Sequence, residues 1–142
     1  MNIMRVNDSL TVSGQLSESD VAQLAADGVE LIVCNRPDGE ADDQVPFADI
    51  AAAAKAAGIQ AASIPFRSGA MSDEDVAAFA VLLANDRNIH CYCRTGTRSF
   101  GLYAAAAASK GADLAEIREQ ANRLGFDVST ILRPYIQENQ TP

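Results

Sequence analysis

The sequence contains no tryptophan, one histidine and three cysteines among its 142 residues. Three cysteines do not fit the paired disulfides of a small secreted domain, and one histidine beside them lacks the usual ligand spacing of a metal site. No apolar run approaches the roughly 18 residues of a membrane span, and no basic start is followed by an apolar leader. We therefore expect a cytoplasmic protein with no metal, no cofactor and no membrane contact.

Positive charge is also scarce. Lysine and arginine together number 11 against 19 acidic residues, which gives a net charge of -8 and a pI near 4.4. Nucleic acids and anionic membranes both require a basic face, so we expect neither as a partner. The length predicts one domain spanning residues 1–142, and a hydrophobic content of 48% with mean hydropathy near zero is typical of a soluble globular protein.

Short apolar runs alternate with stretches of helical periodicity. The continuous run Leu31–Cys34 is typical of a strand buried on both faces of a parallel sheet. Ile3–Val6 and Leu10–Val12 flank a turn and predict a starting hairpin, and residues 60–66 predict another strand. Strands alternating with helices at this spacing predict a single α/β domain, cysteine-phosphatase-like in layout, with a mainly parallel central sheet flanked by helices.

Helix boundaries follow from capping residues. Ser17 and Ser72 each precede an acid at the third helical position, which predicts helix starts at both. Asp113 with Glu116 predicts another capping box. The last helix is predicted within residues 129–140, where Pro134 limits its start.

One stretch, Asn88–Phe100, combines a short apolar run, a tight polar loop and the start of a helix predicted over Ser99–Lys110. In such a turn, loop amides and the helix dipole converge on one spot. Cys93 lies at that spot, flanked by Arg94 and Arg98. Cationic neighbours at a helix start favour the thiolate, so we expect Cys93 to be a nucleophile.

Arginines collect where the predicted parallel strands end. Four of the nine arginines in the chain fall on these loops, and ligands of such sheets bind at the same edge. We expect this cluster to attract an anion toward Cys93. For Arg36 and Arg67, ion pairing with Glu40, Asp42 or Asp43 remains an equal alternative. Arg94 is nearly as well explained as a solvent-facing charge. The four are Arg36, Arg67, Arg94 and Arg98.

Three motifs together resemble a known family. Ser13–Gln15, Cys34–Glu40 and Cys93–Ser99 are similar to the small bacterial phosphatase-like domain that also occurs fused to beta-lactamase-like hydrolases. The resemblance runs from about Met4 to Leu132. It implies the fold of dual-specificity phosphatases, and it leaves the reaction open, because members have been described both as phosphatases and as sulfurtransferases.

Departures from the phosphatase pattern favour sulfur transfer. Cysteine phosphatases place five residues between the nucleophile and the arginine, whereas four separate Cys93 from Arg98, as in single-domain rhodaneses. Tyr92 stands where phosphatases have a histidine. No carboxylate occurs in residues 64–71 to act as general acid, and Asp73 is the nearest candidate. Sulfur transfer needs no such acid, because a thiolate leaves unprotonated.

The leading hypothesis is therefore a rhodanese-type sulfurtransferase. Cys93 would attack the outer sulfur of a small anionic donor, thiosulfate or glutathione persulfide, and pass that sulfur to an acceptor thiol or cyanide. Arg98 and Arg94 would bind the donor, and Ser99 could donate a hydrogen bond to the thiolate. Backbone amides of the loop would stabilise the charged sulfur. These amides belong to Thr95, Gly96, Thr97 and Ser99.

Two other hypotheses remain open. The first is a phosphatase that works through a cysteinyl-phosphate, with Asp73 or water as the acid. The second is a non-catalytic anion or persulfide sensor in which modified Cys93 changes a contact with a partner. Cys91 could resolve a modified Cys93, although Cys91, Cys34 and His90 are better explained as core residues.

Overall fold

A computed structural model of the protein describes the backbone of residues 1–140 and the side chains of residues 1–136. Five strands form one sheet in the order β1-β2-β5-β3-β4, and only β1 and β2 pair antiparallel. This confirms the mainly parallel sheet and the starting hairpin. The strands are β1 (Met4–Asn7), β2 (Leu10–Ser13), β3 (Leu31–Cys34), β4 (Gln60–Ser63) and β5 (Ile89–Tyr92).

Six helices accompany the sheet: α1 (Glu18–Ala26), α2 (Phe47–Ala56), α3 (Asp73–Leu83), α4 (Thr97–Ser109), α5 (Leu114–Leu124) and α6 (Ser129–Gln140). The predicted capping boxes at Ser17 and Ser72 are both present. Asp113 caps α5 by accepting from the Ala115 amide, at 2.9 Å, rather than through a box. Helix α4 begins two residues earlier than predicted, at Thr97, because Gly96 caps it in a left-handed conformation.

The central strand β5 carries Cys93 at its carboxyl end. It is flanked on both sides by parallel neighbours, β2 and β3, and every residue of β3 and β5 is buried. Beyond the strands, the Cys93 amide donates to the Ser13 carbonyl at 3.3 Å, and the Asn35 amide donates to the Tyr92 carbonyl at 2.8 Å. These bonds hold the ends of β2, β3 and β5 together, which is where the loops of the predicted site emerge.

Apolar residues fill both faces of the sheet. The larger cluster includes Phe79, Phe100 and Leu102, and the smaller one includes Val21 and Ile50. Buried aliphatic and aromatic side chains of this kind contribute roughly 1.5–3 kcal/mol each to folding. Two of the cysteines belong to these clusters, as expected for core cysteines: Cys91 to the larger and Cys34 to the smaller.

Strand β4 and one feature of helix α6 also differ from prediction. Strand β4 ends at Ser63 rather than at Phe66, because Pro65 cannot donate to a ladder. Helix α6 covers the predicted range, Ser129–Gln140, but it continues through Pro134, so the limit on its start predicted from this proline was wrong. The missing Pro134 amide leaves the carbonyl of exposed Thr130 to solvent, which lowers the cost of a proline there. Among the described residues, no helix combines the length and apolar character needed to cross a membrane.

Candidate active site

Cys93 lies at the bottom of the loop between β5 and α4. Its side chain is 0% exposed, and its Sγ accepts a hydrogen bond from the Gly96 amide at 3.1 Å. Cys93 is absent from both apolar clusters, unlike the other two cysteines. The sulfur therefore faces a polar loop at a helix start, the environment predicted for it.

Two glycines allow the chain to pass close to this sulfur. Gly96 has φ of +95°, where residues with a Cβ are strained. A Cβ placed at Gly14 would lie 2.7 Å from the Arg94 carbonyl oxygen, which is closer than real Cβ atoms approach. Gly14 belongs to the first motif of the family resemblance, and this backbone contact gives a physical reason for a glycine there.

Arg98 is held by a carboxylate on a neighbouring loop. Its Nη1 and Nη2 donate to the Glu40 oxygens at 2.8 and 2.9 Å, and Nη1 also donates to the Phe66 carbonyl at 3.1 Å. Only 10% of the Arg98 side chain is exposed. The hydrogen bonds with Glu40 raise the pKa of Arg98 above its usual value, and nearby Cys93 adds a smaller effect in the same direction. The guanidinium is thus fixed close to the sulfur.

Glu40 bridges two arginines. Besides Arg98, it accepts from Arg36 Nε at 3.0 Å, and these pairings, Arg98 first, lower the pKa of Glu40 to about 2. Arg36 also donates to Gln15 Oε1 at 2.9 Å and is 6% exposed. Of the two interpretations of Arg36, the structure shows the ion pair. The sequence offered Glu40 as one possible partner of Arg36 or Arg67, and it did not predict the contact between Glu40 and Arg98.

A cleft of about 500 Å³ opens over this loop, and we call it the anion cleft. It gathers five of the ten predicted site residues. The other five lie outside its lining, namely Cys93, Gly96, Ser99, Arg36 and Asp73. Three of the five that line the cleft are arginines, so the cleft concentrates positive charge in a protein of net charge -8. Its lining comprises Pro37, Asp38, Gly39, Glu40, Arg67, Ser68, Arg94, Thr95, Thr97 and Arg98.

Ser99 does not donate the hydrogen bond to Cys93 that the sequence suggested. Its hydroxyl donates to Asn35 Oδ1 at 2.8 Å, and the Asn35 amide group donates in turn to the Ile64 carbonyl at 3.0 Å. A hydroxyl has one proton to donate, so the bond to Asn35 leaves none for the Cys93 sulfur. Ser99 and Asn35 instead tie α4 to the loop after β3, next to the ion pair of Glu40.

A buried histidine in β5 supports the segment that packs against the Cys93 loop. His90 is 0% exposed, and its two ring nitrogens lie 2.7 Å from Thr11 Oγ1 and 2.8 Å from Ser13 Oγ. Ser13 Oγ donates to the Gly14 carbonyl at 2.8 Å, so it must accept from His90 Nε2. The ring therefore carries its proton on Nε2 and accepts from Thr11 at Nδ1. Burial lowers the pKa of His90 to about 4.

Asp73 is not placed to act on a substrate. It is exposed in the first turn of α3, where an acid stabilises the helix start, and it does not line the anion cleft. Asp38 and Glu40 are the carboxylates that line the anion cleft. Within the described residues, the structure contains no group of three or more histidine, cysteine or acidic side chains arranged to hold a metal ion.

Comparison with known proteins identifies the family. Residues 2–111 match the model of the beta-lactamase hydrolase-like protein, phosphatase-like domain. The chain belongs to this family. It is 31% identical over 135 residues to a beta-lactamase hydrolase-like protein of Agrobacterium fabrum and 29% identical over 130 residues to one of Xylella fastidiosa. These alignments cover 94% and 90% of the chain but only 31% and 30% of the relatives.

A solved structure from Neisseria meningitidis, described as a "putative phosphatase", is similar over the whole domain. It is 31% identical, has a TM-score of 0.80, and the match covers 95% of this chain and 96% of that one. The phosphatase-like domain thus has the cysteine-phosphatase fold predicted for it. The comparisons favour the phosphatase hypothesis over the sulfurtransferase that the loop length suggested, and they give the latter no support.

Proposed function

We propose that this phosphatase-like domain hydrolyses phosphate monoesters through a covalent cysteinyl-phosphate at Cys93. The observation that carries the proposal is the position of the Cys93 sulfur, at the start of α4 beneath a cleft lined by Arg67, Arg94 and Arg98. A preorganised cluster of cations and amides stabilises the charge on a transferring phosphoryl group. The family and the Neisseria meningitidis structure support the same reaction class.

The reaction has two displacement steps. The Cys93 thiolate attacks phosphorus, so that an S–P bond forms while the P–O bond to the alcohol breaks and its electrons go to the leaving oxygen. Water then attacks phosphorus, the S–P bond breaks, inorganic phosphate leaves and the thiolate is restored. Arg98 and Arg94 bind the phosphoryl oxygens in both steps.

The leaving oxygen takes its proton from Asp38, and Asp38 recovers a proton from the attacking water in the second step. Of the two carboxylates in the anion cleft, Glu40 is held ionised by Arg98, with its pKa lowered to about 2. One Asp38 oxygen accepts from the Phe47 amide at 2.9 Å, which fixes the carboxyl group and leaves its second oxygen for the substrate. The Asp38→Asn variant should slow phenyl phosphate turnover more than that of 4-nitrophenyl phosphate, whose leaving group needs no proton.

Access to the sulfur requires a rearrangement. Since Cys93 is 0% exposed, substrate must displace the groups above it before the sulfur can attack. Glu40 occupies two donors of Arg98 that a phosphoryl group would use. Substrate binding therefore exchanges at least one Glu40 oxygen for a phosphoryl oxygen.

Sulfur transfer is the second candidate, and the loop length is the observation that favours it. Four residues between Cys93 and Arg98 form a smaller ring than that of cysteine phosphatases and direct fewer amides at three phosphoryl oxygens. With thiosulfate, Cys93 would attack the outer sulfur, the S–S bond of thiosulfate would break, and sulfite would leave. The persulfide sulfur would then pass to an acceptor thiol, and no acid is required.

Intact mass spectrometry separates these reactions. The protein is incubated with 4-nitrophenyl phosphate or with thiosulfate, quenched in acid and weighed, with Cys93→Ser as the control. We expect one phosphoryl group on the wild-type chain, together with continuing phosphate release that Cys93→Ser lacks. A gain of one sulfur without phosphate release would replace the phosphatase by the sulfurtransferase. A single modification that never turns over would favour the sensor.

A further inference from the structure

A second cleft adjoins the anion cleft, and we call it the apolar groove. It has a volume of about 440 Å³ and shares Ser68, Thr97 and Arg98 with the anion cleft. Its remaining wall is largely hydrophobic and comes from three separate parts of the chain: Phe66 after β4, Met71 before α3, and Ile131 in α6. A ligand whose anionic end contacts Arg98 therefore meets an apolar surface on the other side of that arginine.

We propose that the apolar groove binds the aryl group of a phosphate monoester while the phosphoryl group occupies the anion cleft. This assignment rests on the proposed phosphatase function and adds a substrate class to it. The continuity of the two clefts through Arg98 specifies a ligand with adjacent anionic and apolar parts. The groove's volume falls in the range of roughly 300–1,000 Å³ that small-molecule sites occupy, which leaves room for a bicyclic ring.

Charge at the groove restricts the aryl group further. Asp127 lines the groove, where its Oδ1 accepts from the Ser129 amide at 3.0 Å and from the Ser129 hydroxyl at 2.7 Å. These bonds lower the pKa of Asp127, so its carboxylate is ionised. A second phosphate on the ligand would be repelled there. The groove therefore selects a monoester with an uncharged apolar group over a bisphosphate.

Two aryl esters with leaving groups of similar acidity test the assignment. The ratio of kcat/KM for 2-naphthyl phosphate to that for phenyl phosphate isolates the contribution of the second ring. We expect a ratio of about ten in the wild-type protein, because the added ring buries apolar surface in the groove. The ratio should fall to below about three in Met71→Ser and in Ile131→Thr.

Val81→Ser is the matched control. Val81 is an apolar residue of α3 that is 65% exposed and lines neither cleft, so its replacement should leave the ratio unchanged. Ile131 and Met71 both pack against the core, and a thermal melt will show whether each variant remains folded. Because the two residues lie on separate segments, either variant that remains folded is sufficient for the test.

A binding measurement distinguishes failure of this assignment from failure of the proposed function. Calorimetric titration of Cys93→Ser with both esters requires no turnover, and we expect 2-naphthyl phosphate to bind about tenfold more tightly. Tenfold tighter binding without phosphate release by the wild-type protein would refute the phosphatase and leave the groove assigned. Equal affinities, or a wild-type ratio near one, would overturn the groove assignment. A ratio unaffected by both groove variants would do the same.

Discussion

Mild acid should destabilise this domain through a single buried side chain, His90. The ring is 0% exposed and its nitrogens are bonded to Thr11 and Ser13, so the folded chain holds it neutral. Burial lowers its pKa from 6.5 to about 4. In the unfolded chain the ring regains its ordinary pKa, and so the unfolded state binds the proton more readily between these two values.

The sign and size follow from this difference. The folded state has its full stability above pH 6.5 and loses it progressively as the pH falls toward 4, because protonation favours the unfolded chain. One pKa unit corresponds to about 1.4 kcal/mol, so the whole shift amounts to about 3 kcal/mol, of which about 2 kcal/mol is lost by pH 5. For a domain stabilised by roughly 5–15 kcal/mol, this loss is measurable.

Urea unfolding at pH 7 and pH 5, monitored by circular dichroism, gives the difference in unfolding free energy. The matched variant is His90→Gln, which keeps a hydrogen-bonding side chain and removes the titration. It should show little change between the two pH values, although its stability at pH 7 will be lower. Glu40 does not interfere, because its pKa shift acts between 4.5 and about 2. A wild-type loss under about 0.5 kcal/mol, or an equal loss in His90→Gln, would refute the reasoning.

Three further substitutions test the loop. Glu40→Gln removes the charge that holds Arg98, so we expect iodoacetamide to alkylate Cys93 at least several times faster than in the wild-type protein. Mass spectrometry measures the alkylation rate, and an unchanged rate would show that Glu40 does not restrict access to the sulfur. Gly14→Ala forces a Cβ against the Arg94 carbonyl, so kcat/KM for 4-nitrophenyl phosphate should fall by tenfold or more. The melting temperature of this variant should drop only modestly. Arg98→Lys keeps the charge but loses the paired contact with Glu40, and we expect the rate of phosphate release to fall at least a hundredfold. A smaller loss would argue against a paired guanidinium contact in the transition state.

The fold was readily predicted because its signals are local. Ser17 and Ser72 cap helices through side chains three residues from their partners, and the apolar run Leu31–Cys34 is a buried strand as expected. The errors also have local causes that compete with these signals. Gly96 starts α4 early through its left-handed conformation, and Pro134 is tolerated because the carbonyl it leaves without a partner belongs to exposed Thr130.

The site was only partly predictable, because its contacts join distant segments. Arg98 and Glu40 are 58 residues apart, and Ser99 and Asn35 are 64 apart. The nucleophile and its flanking arginines could be identified from one short stretch of sequence. The sequence contained no signal that Glu40 would form an ion pair with Arg98. The presence of Glu40 in the Cys34–Glu40 motif was the one available clue to a role in the site.

Loop length was one of three reasons for preferring sulfur transfer from the sequence, beside Tyr92 in place of a histidine and the lack of a carboxylate in residues 64–71. A difference of one residue between Cys93 and Arg98 changes the ring, but it does not by itself say which anion the completed cleft accepts. Arg67 and Asp38 also line that cleft, and they come from the loops after β4 and β3. Those loops were the less predictable part of the chain.

The bond between Ser13 and His90 spans 77 residues, and it supports the nucleophile's loop from the first hairpin. Pairings between such distant segments are slow to form during folding, because the intervening chain must first be ordered. A fragment containing only β5 and α4 would include the cysteine and both flanking arginines. It would still lack the amino-terminal hairpin that supports their loop. Enzymatic turnover should therefore appear only after the amino-terminal hairpin has docked, which would make it a sensitive kinetic marker of complete refolding.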